Sequence, residues 1–248
     1  LLVFFIAVSG VTLFFDYMIY VWGEAYQYDP GIIKGKYDSH IGAIVNGLVL
    51  PGAALLYIVY RGKWVWSVVL AACFAGIEVF FISTDIYRPM WWRPWYTFPI
   101  LIFYFPVVRH WWERLGRSPE KWVMFGTLLS VFYGVFVPLN IGLYGVLQIR
   151  SFHVHWIEQM GRDSSAFNTL TALFFGVILA GIGTFRLSKL WSYFAVGWFI
   201  AYNRFLIYIG IVRTENLLMD FVLSMIIFFL AMFCVRYAEK RLFEYKQV

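Results

Sequence analysis

Seven polar or ionisable residues interrupt runs that are otherwise apolar: Asp16, Asn46, Glu78, Asn140, Asn203, Arg204 and Asp220. Carboxylates, amides and a guanidinium can hold a charged ligand, neutralise one another, or tie helices together by hydrogen bonds. An ionisable side chain at the centre of a membrane helix costs roughly 2.5 kcal/mol or more, so each of these residues requires a partner or a purpose. Arg204 cannot readily lose its proton. Glu78 and Asp16 are the expected counter-charges for it, because an unpaired buried charge is the expensive case.

A second group lies between the apolar runs. Asp38 and His40 stand before the second run, and His153, His155 and Glu158 occupy the corresponding place later in the chain. Imidazoles and carboxylates suit zinc or another divalent ion. The spacing matches no recognised motif, and an H-x-H pair puts both rings on one face only in an extended chain. The favoured reading is an interfacial loop with Arg150 and Trp156 at the headgroups, so no metal and no cofactor is expected. The chain holds no Gly-rich phosphate loop, no G-x-S-x-G and no C-x-x-C. An intramembrane hydrolase built on Asp38, His40 or Glu78 has nothing that selects it. Cys73 and Cys234 sit inside apolar runs and are expected to be inert thiols.

The elements that carry these residues follow from composition. Hydrophobic residues make up 62% of the 248 and charged residues 14%, whereas a soluble domain carries about 25% charged residues. Continuous apolar runs reach the roughly 20 residues that cross a bilayer, without the alternation of a β-barrel. The fold class expected is an all-α, polytopic transmembrane helix bundle. Eight spans are placed at about 1–22, 40–60, 64–84, 95–110, 122–148, 167–185, 190–210 and 216–236. The fourth is short and carries Pro99 and Pro106, so it is expected to be kinked or re-entrant; Pro138 predicts a kink in the fifth. The first run lacks a basic leader and is read as a span. Trp91, Trp92, Trp95 and Tyr96 are read as part of an aromatic belt at the headgroups.

Twelve Lys and Arg residues fall on one set of loops and seven on the other. The positive-inside rule makes the richer set cytoplasmic and places both termini inside. The net charge of +6 is therefore read as this bias and not as a nucleic-acid signal. In this topology all seven intramembrane polar residues lie in the outer half. A channel or proton path needs polar groups along its whole length, so the pattern favours an outward-facing pocket closed below by apolar packing.

The chain also resembles itself. Trp66, Ser67, Phe74, Phe80, Ile82, Ile86 and Arg88 match Trp191, Ser192, Phe199, Phe205, Ile207, Ile211 and Arg213 at one constant offset, seven identities in a window of twenty-three. Gly47 and Gly52 resemble Gly176 and Gly181 after a small shift, and Asp16 and Asn140 occupy similar places. One transmembrane domain over 1–248, made of two parallel four-helix repeats at 1–115 and 116–248, accounts for this; such repeats place ligand sites at their interface.

The segment Glu78…Ile86-Tyr87…Trp92…Trp95-Tyr96-Thr97 resembles an uncharacterised family of small multi-pass membrane proteins from endospore-forming Firmicutes. The resemblance covers about residues 40–110. It implies a bacterial plasma-membrane protein and no particular activity. The function expected is an integral membrane protein that binds a small molecule or lipid headgroup in an outward-facing polar pocket between two helical repeats. Asp16, Asn46, Glu78, Asn140, Asn203 and Arg204 are its candidate ligand-binding residues. The alternatives are a structural or accessory subunit packed against membrane partners, and an intramembrane enzyme or transporter.

Overall fold

The computed structural model describes residues 1–29, 31, 38–117, 120–157 and 160–244, with only the backbone at 38–41, 43, 160, 161 and 244. Eight α-helices and four three-residue strands account for most of these residues. The chain divides into two compact units, 1–118 and 119–248, described separately here.

In the first unit α1 (Leu2–Tyr17) continues into a π-helical turn at Met18–Trp22, followed by β1 (Tyr26–Tyr28), α2 (Asp38–Val59), α3 (Trp64–Ser83), β2 (Tyr87–Pro89) and α4 (Pro94–Gly116). Each helix stops for a local reason. After α2, Arg61 takes a left-handed φ of 50°; the Gly62 amide donates to the Tyr57 carbonyl and the Arg61 amide to Ile58. These two bonds satisfy the last carbonyls of the helix. Asp85, with φ 57°, closes α3 the same way through Ile86 to Phe81 and Asp85 to Ile82. Pro94 starts α4 at a position where its missing N–H costs nothing. Pro99 and Pro106 lie inside α4, which nevertheless runs unbroken for 23 residues.

β1 and β2 pair antiparallel, with Tyr26 opposite Pro89, Gln27 opposite Arg88 and Tyr28 opposite Tyr87. Because β1 follows α1 and β2 follows α3, this pairing gathers the C-terminal ends of both helices at one end of the unit, called the strand end below. Deeper in, α1 meets α4 through Phe4, whose ring lies 5.2 Å from Trp111 and 5.0 Å from Trp112, and through a 3.0 Å hydrogen bond between Thr12 and Tyr104. α3 packs on α4 and presents most of its surface outward; only Ser67 and Ala71 of it are buried. Trp64, Val65, Trp66, Ile77, Val79 and Phe80 are exposed along it, as a helix facing lipid requires.

The second unit has the same order: α5 (Lys121–Ile141), a π-helical turn at Gly142–Val146, β3 (Arg150–Phe152), α6 (Met160–Thr184), α7 (Lys189–Tyr208), β4 (Val212–Thr214) and α8 (Leu217–Glu244). β3 and β4 pair antiparallel with Arg150 opposite Thr214, Ser151 opposite Arg213 and Phe152 opposite Val212. Left-handed residues recur at the helix ends: Glu24 and Gln148 after the π-turns, Arg61 and Arg186 after α2 and α6, Asp85 and Gly210 after α3 and α7. The core is aromatic. Phe199 stacks on Phe228 at 4.1 Å and Phe132 on Phe136 at 5.0 Å, and Phe175 meets Phe199 and Phe228 edge-on. Edge-to-face and offset contacts of this kind stabilise beyond the area they bury.

Among the described residues, five helices are long and apolar enough to cross a membrane: Leu2–Trp22, Trp64–Ser83, Lys121–Val146, Arg162–Thr184 and Leu217–Phe243. In α2 the apolar stretch of described residues is the shorter Ile44–Val59. The chain is thus a mostly helical protein with several candidate membrane spans.

Candidate functional site

Two polar constellations lie near the strand ends, one in each unit. In the first, α1 carries Asp16 and β1 brings Tyr26 over it. The Tyr26 hydroxyl donates to Asp16 Oδ1 at 2.5 Å, and Asn46 Nδ2 of α2 reaches the same oxygen at 3.5 Å. Asp16 is buried. On α3, Glu78 Oε2 accepts a hydrogen bond of 2.5 Å from the Thr97 hydroxyl of α4, and Trp92 Nε1 donates to Thr97 at 2.9 Å. Between the two carboxylates stands a tyrosine cluster. Tyr26, Tyr28 and Tyr87 have ring centroids 5.0–5.4 Å apart, with Tyr20 stacked on Tyr26 at 5.9 Å.

The phenols of Tyr26, Tyr28 and Tyr87 are pushed up from their ordinary value, first by burial and then by the negative charge of the carboxylates around them. Protonated, Tyr26 donates to Asp16 and Tyr87 hydrogen-bonds Glu78. The cluster is filled by its own rings: Tyr26 and Tyr87 are buried. This half of the polar set therefore acts as a latch that ties the strand pair to the helices. The aromatic run after β2 shares in it, since Trp91 Nε1 donates to the Gly23 carbonyl at 2.5 Å, and Met90 and Trp92 amides both reach the Ala25 carbonyl. Trp91 and Trp92, expected as part of a headgroup belt, thus also make hydrogen bonds within the unit.

In the second unit the central pair is Arg150 with Asp220. Arg150 Nε and Nη2 donate to the two oxygens of Asp220 at 2.7 and 2.9 Å, and the side chains are 5% and 1% exposed. β3 places Arg150 where β1 places Tyr26; the first turn of α8 supplies Asp220. A bidentate fork of this kind is the strongest geometry available to the two groups. Beside it, a narrow cleft between α7 and α8 is lined by Asn203, Arg204, Phe221 and Ser224 as well as the ion pair. Its volume is about 10 Å³, the lower limit for holding a single water. Ser224 Oγ is buried without a hydrogen-bond partner. Arg204 is exposed at the mouth, with its guanidinium 4.8 Å from the Phe221 ring.

Of the expected site residues, Asp16 and Asn46 meet, Glu78 meets Thr97, and Asn203 and Arg204 line one cleft. Asn140 and Asn203 each donate to the carbonyl four residues earlier, Phe136 and Phe199, at 3.0 and 2.9 Å. Within its own unit Arg204 lies over the Phe221 ring; Glu78 and Asp16, the counter-charges expected for it, belong to the other unit. Of the loop set, the Asp38 and His40 side chains and all of Glu158 lie outside the described residues. His153 and His155 have ring centroids 6.1 Å apart, and His153 Nε2 pairs with the Ser151 hydroxyl at 3.1 Å. Among the described residues no group of three His, Cys, Asp or Glu is placed to hold a metal ion.

Three features escape sequence reasoning. Arg150 looks like a headgroup residue because its partner is 70 positions away. Asp163 hides at the start of α6, where its two oxygens accept the backbone amides of Val154, His155, Trp156 and Ile157 at 2.9–3.3 Å. Tyr26 and Tyr28 sit in a loop whose strand character covers only three residues. No protein-family model, no curated protein and no solved structure matches the chain.

Proposed function

We propose that this chain is an eight-span protein of the bacterial plasma membrane, built from two parallel repeats with both termini cytoplasmic, and that it binds a small polar molecule or lipid headgroup at an outward-facing strand end. The repeat is supported by the common element order, the matching strand registers and the recurring left-handed residues. The glycine match is not part of it: counted back from Arg61 and Arg186, Gly47 falls at Ala172 and not at Gly176. The resemblance to the Firmicutes family is consistent with the location and adds no activity.

One observation carries the binding reading: a cleft that combines an exposed guanidinium, a buried ion pair and an unpartnered hydroxyl. A buried polar atom without a partner costs free energy, and a ligand oxygen or a water would supply what Ser224 lacks. Because the cleft is only about 10 Å³, a ligand would rest at its mouth beside Arg204. The test is to identify small molecules and lipids that co-purify with the chain, and to measure thermal shifts on adding them. Ser224→Phe should fill the cleft and abolish the shift; an unchanged shift rejects this site.

A second reading, a structural or accessory subunit, is favoured by the first unit. There Asp16, Asn46 and Glu78 are bonded within the unit, around a cluster filled by tyrosine rings. If nothing co-purifies and no thermal shift is found, the accessory reading stands.

A further inference from the structure

We infer that the cleft between α7 and α8 is a site for the phosphate of an anionic membrane phospholipid, with Arg204 as the charge that holds it. This rests on the binding reading above and on α7 crossing the membrane.

The argument is one of charge. Asp220 is the carboxylate of the cleft, and both its oxygens are taken by Arg150. That pair is neutral, so the charge left in the cleft is that of Arg204. Among the described residues no carboxylate lies within ion-pair reach of Arg204. Its position decides what can meet it. Arg204 precedes the end of α7 at Tyr208 by about one turn, on a surface where Phe205 and Tyr208 are exposed. A guanidinium there is surrounded by acyl chains on one side and lies within snorkelling reach of the phosphate layer. Phe221 supports its flat face, which leaves the N–H edge free to fork onto phosphate oxygens.

Ser224 lines the back of the same cleft; it is 3% exposed and its hydroxyl has no partner. No carboxylate in the cleft is left to meet a choline or ethanolamine nitrogen. The site should therefore prefer phosphatidylglycerol to phosphatidylcholine.

The test uses the purified full-length chain in detergent and native mass spectrometry with each lipid as the probe. Wild type should retain phosphatidylglycerol over phosphatidylcholine. Arg204→Gln should weaken phosphatidylglycerol binding about tenfold, the size of about 1.4 kcal/mol. Arg213→Gln, which removes an exposed arginine on β4, should change nothing. An Arg204→Gln chain that elutes as a single species and binds like wild type overturns the inference, and so does an equal loss in both variants. Inorganic phosphate in large excess should leave the lipid in place; displacement would make this a site for a soluble anion and overturn the lipid assignment. Loss with Ser224→Phe but not with Arg204→Gln would retain the cleft as a binding site and reject the phosphate. No change in either would reject both.

Discussion

Arg150 and Asp220 illustrate how much rests on single side chains in this fold. Removing one member leaves a buried charge without its partner, and breaking such a pair costs about 3–5 kcal/mol. Replacing both with apolar residues of similar size leaves no charge behind. Arg150→Met and Asp220→Leu should each lower the melting temperature in detergent more than the double substitution does; additive losses would contradict the pairing. The tyrosine cluster gives a second prediction at this scale. Burial raises the folded-state values of Tyr26, Tyr28 and Tyr87 above the ordinary phenol value of about 10. Below about pH 10 native and unfolded chains both hold these protons, and their stabilising effect is complete. As pH rises beyond that, the unfolded chain loses protons first and stability falls. A melting-temperature series should be flat across neutral pH and decline in the alkaline range, and Tyr28→Phe should soften the decline. If ultraviolet titration shows every tyrosine ionising together in the folded protein, the cluster is not buried.

At the scale of the element, the segment after β3 depends on one acid of α6. Four consecutive backbone amides, from Val154 to Ile157, close around the Asp163 carboxylate. Hydrogen bonds to a charged group contribute about 1.5–3 kcal/mol each where the alternative is an unsatisfied donor, and less where water can replace it. Asp163→Ala should therefore release the whole segment. Hydrogen exchange at 154–157 should accelerate together, while the amides of α5 stay protected. Exchange that remains slow would mean that the β3–β4 pair alone holds the loop. The loop bearing His153 and His155 is thus ordered by a carboxylate contact, which needs no metal.

For the whole molecule, span number is the property with the sharpest test. Five helices meet the length and apolarity of a span; with eight spans the termini share a side, and with five they do not. Reporter fusions at Leu1 and Val248 should both report the cytoplasm, and opposite sides would reject the eight-span topology. The helical character, the long apolar runs and most helix positions were legible in the chain because they depend on local composition and on breakers such as Pro94. The length of α4 was not: it runs from Pro94 to Gly116 with Pro99 and Pro106 inside, beyond the 95–110 expected. Pairing was not legible either. Position along a helix gave each polar residue a place near a helix end, and Asp16 and Asn46 do meet there. Which groups face each other depends on helix rotation and on the strand pairs, which are contacts between residues far apart in sequence. The tertiary structure alone put Tyr26 on Asp16, Thr97 on Glu78 and Arg150 on Asp220. It left Arg204 exposed beside the cleft, whose carboxylate, Asp220, is held by Arg150.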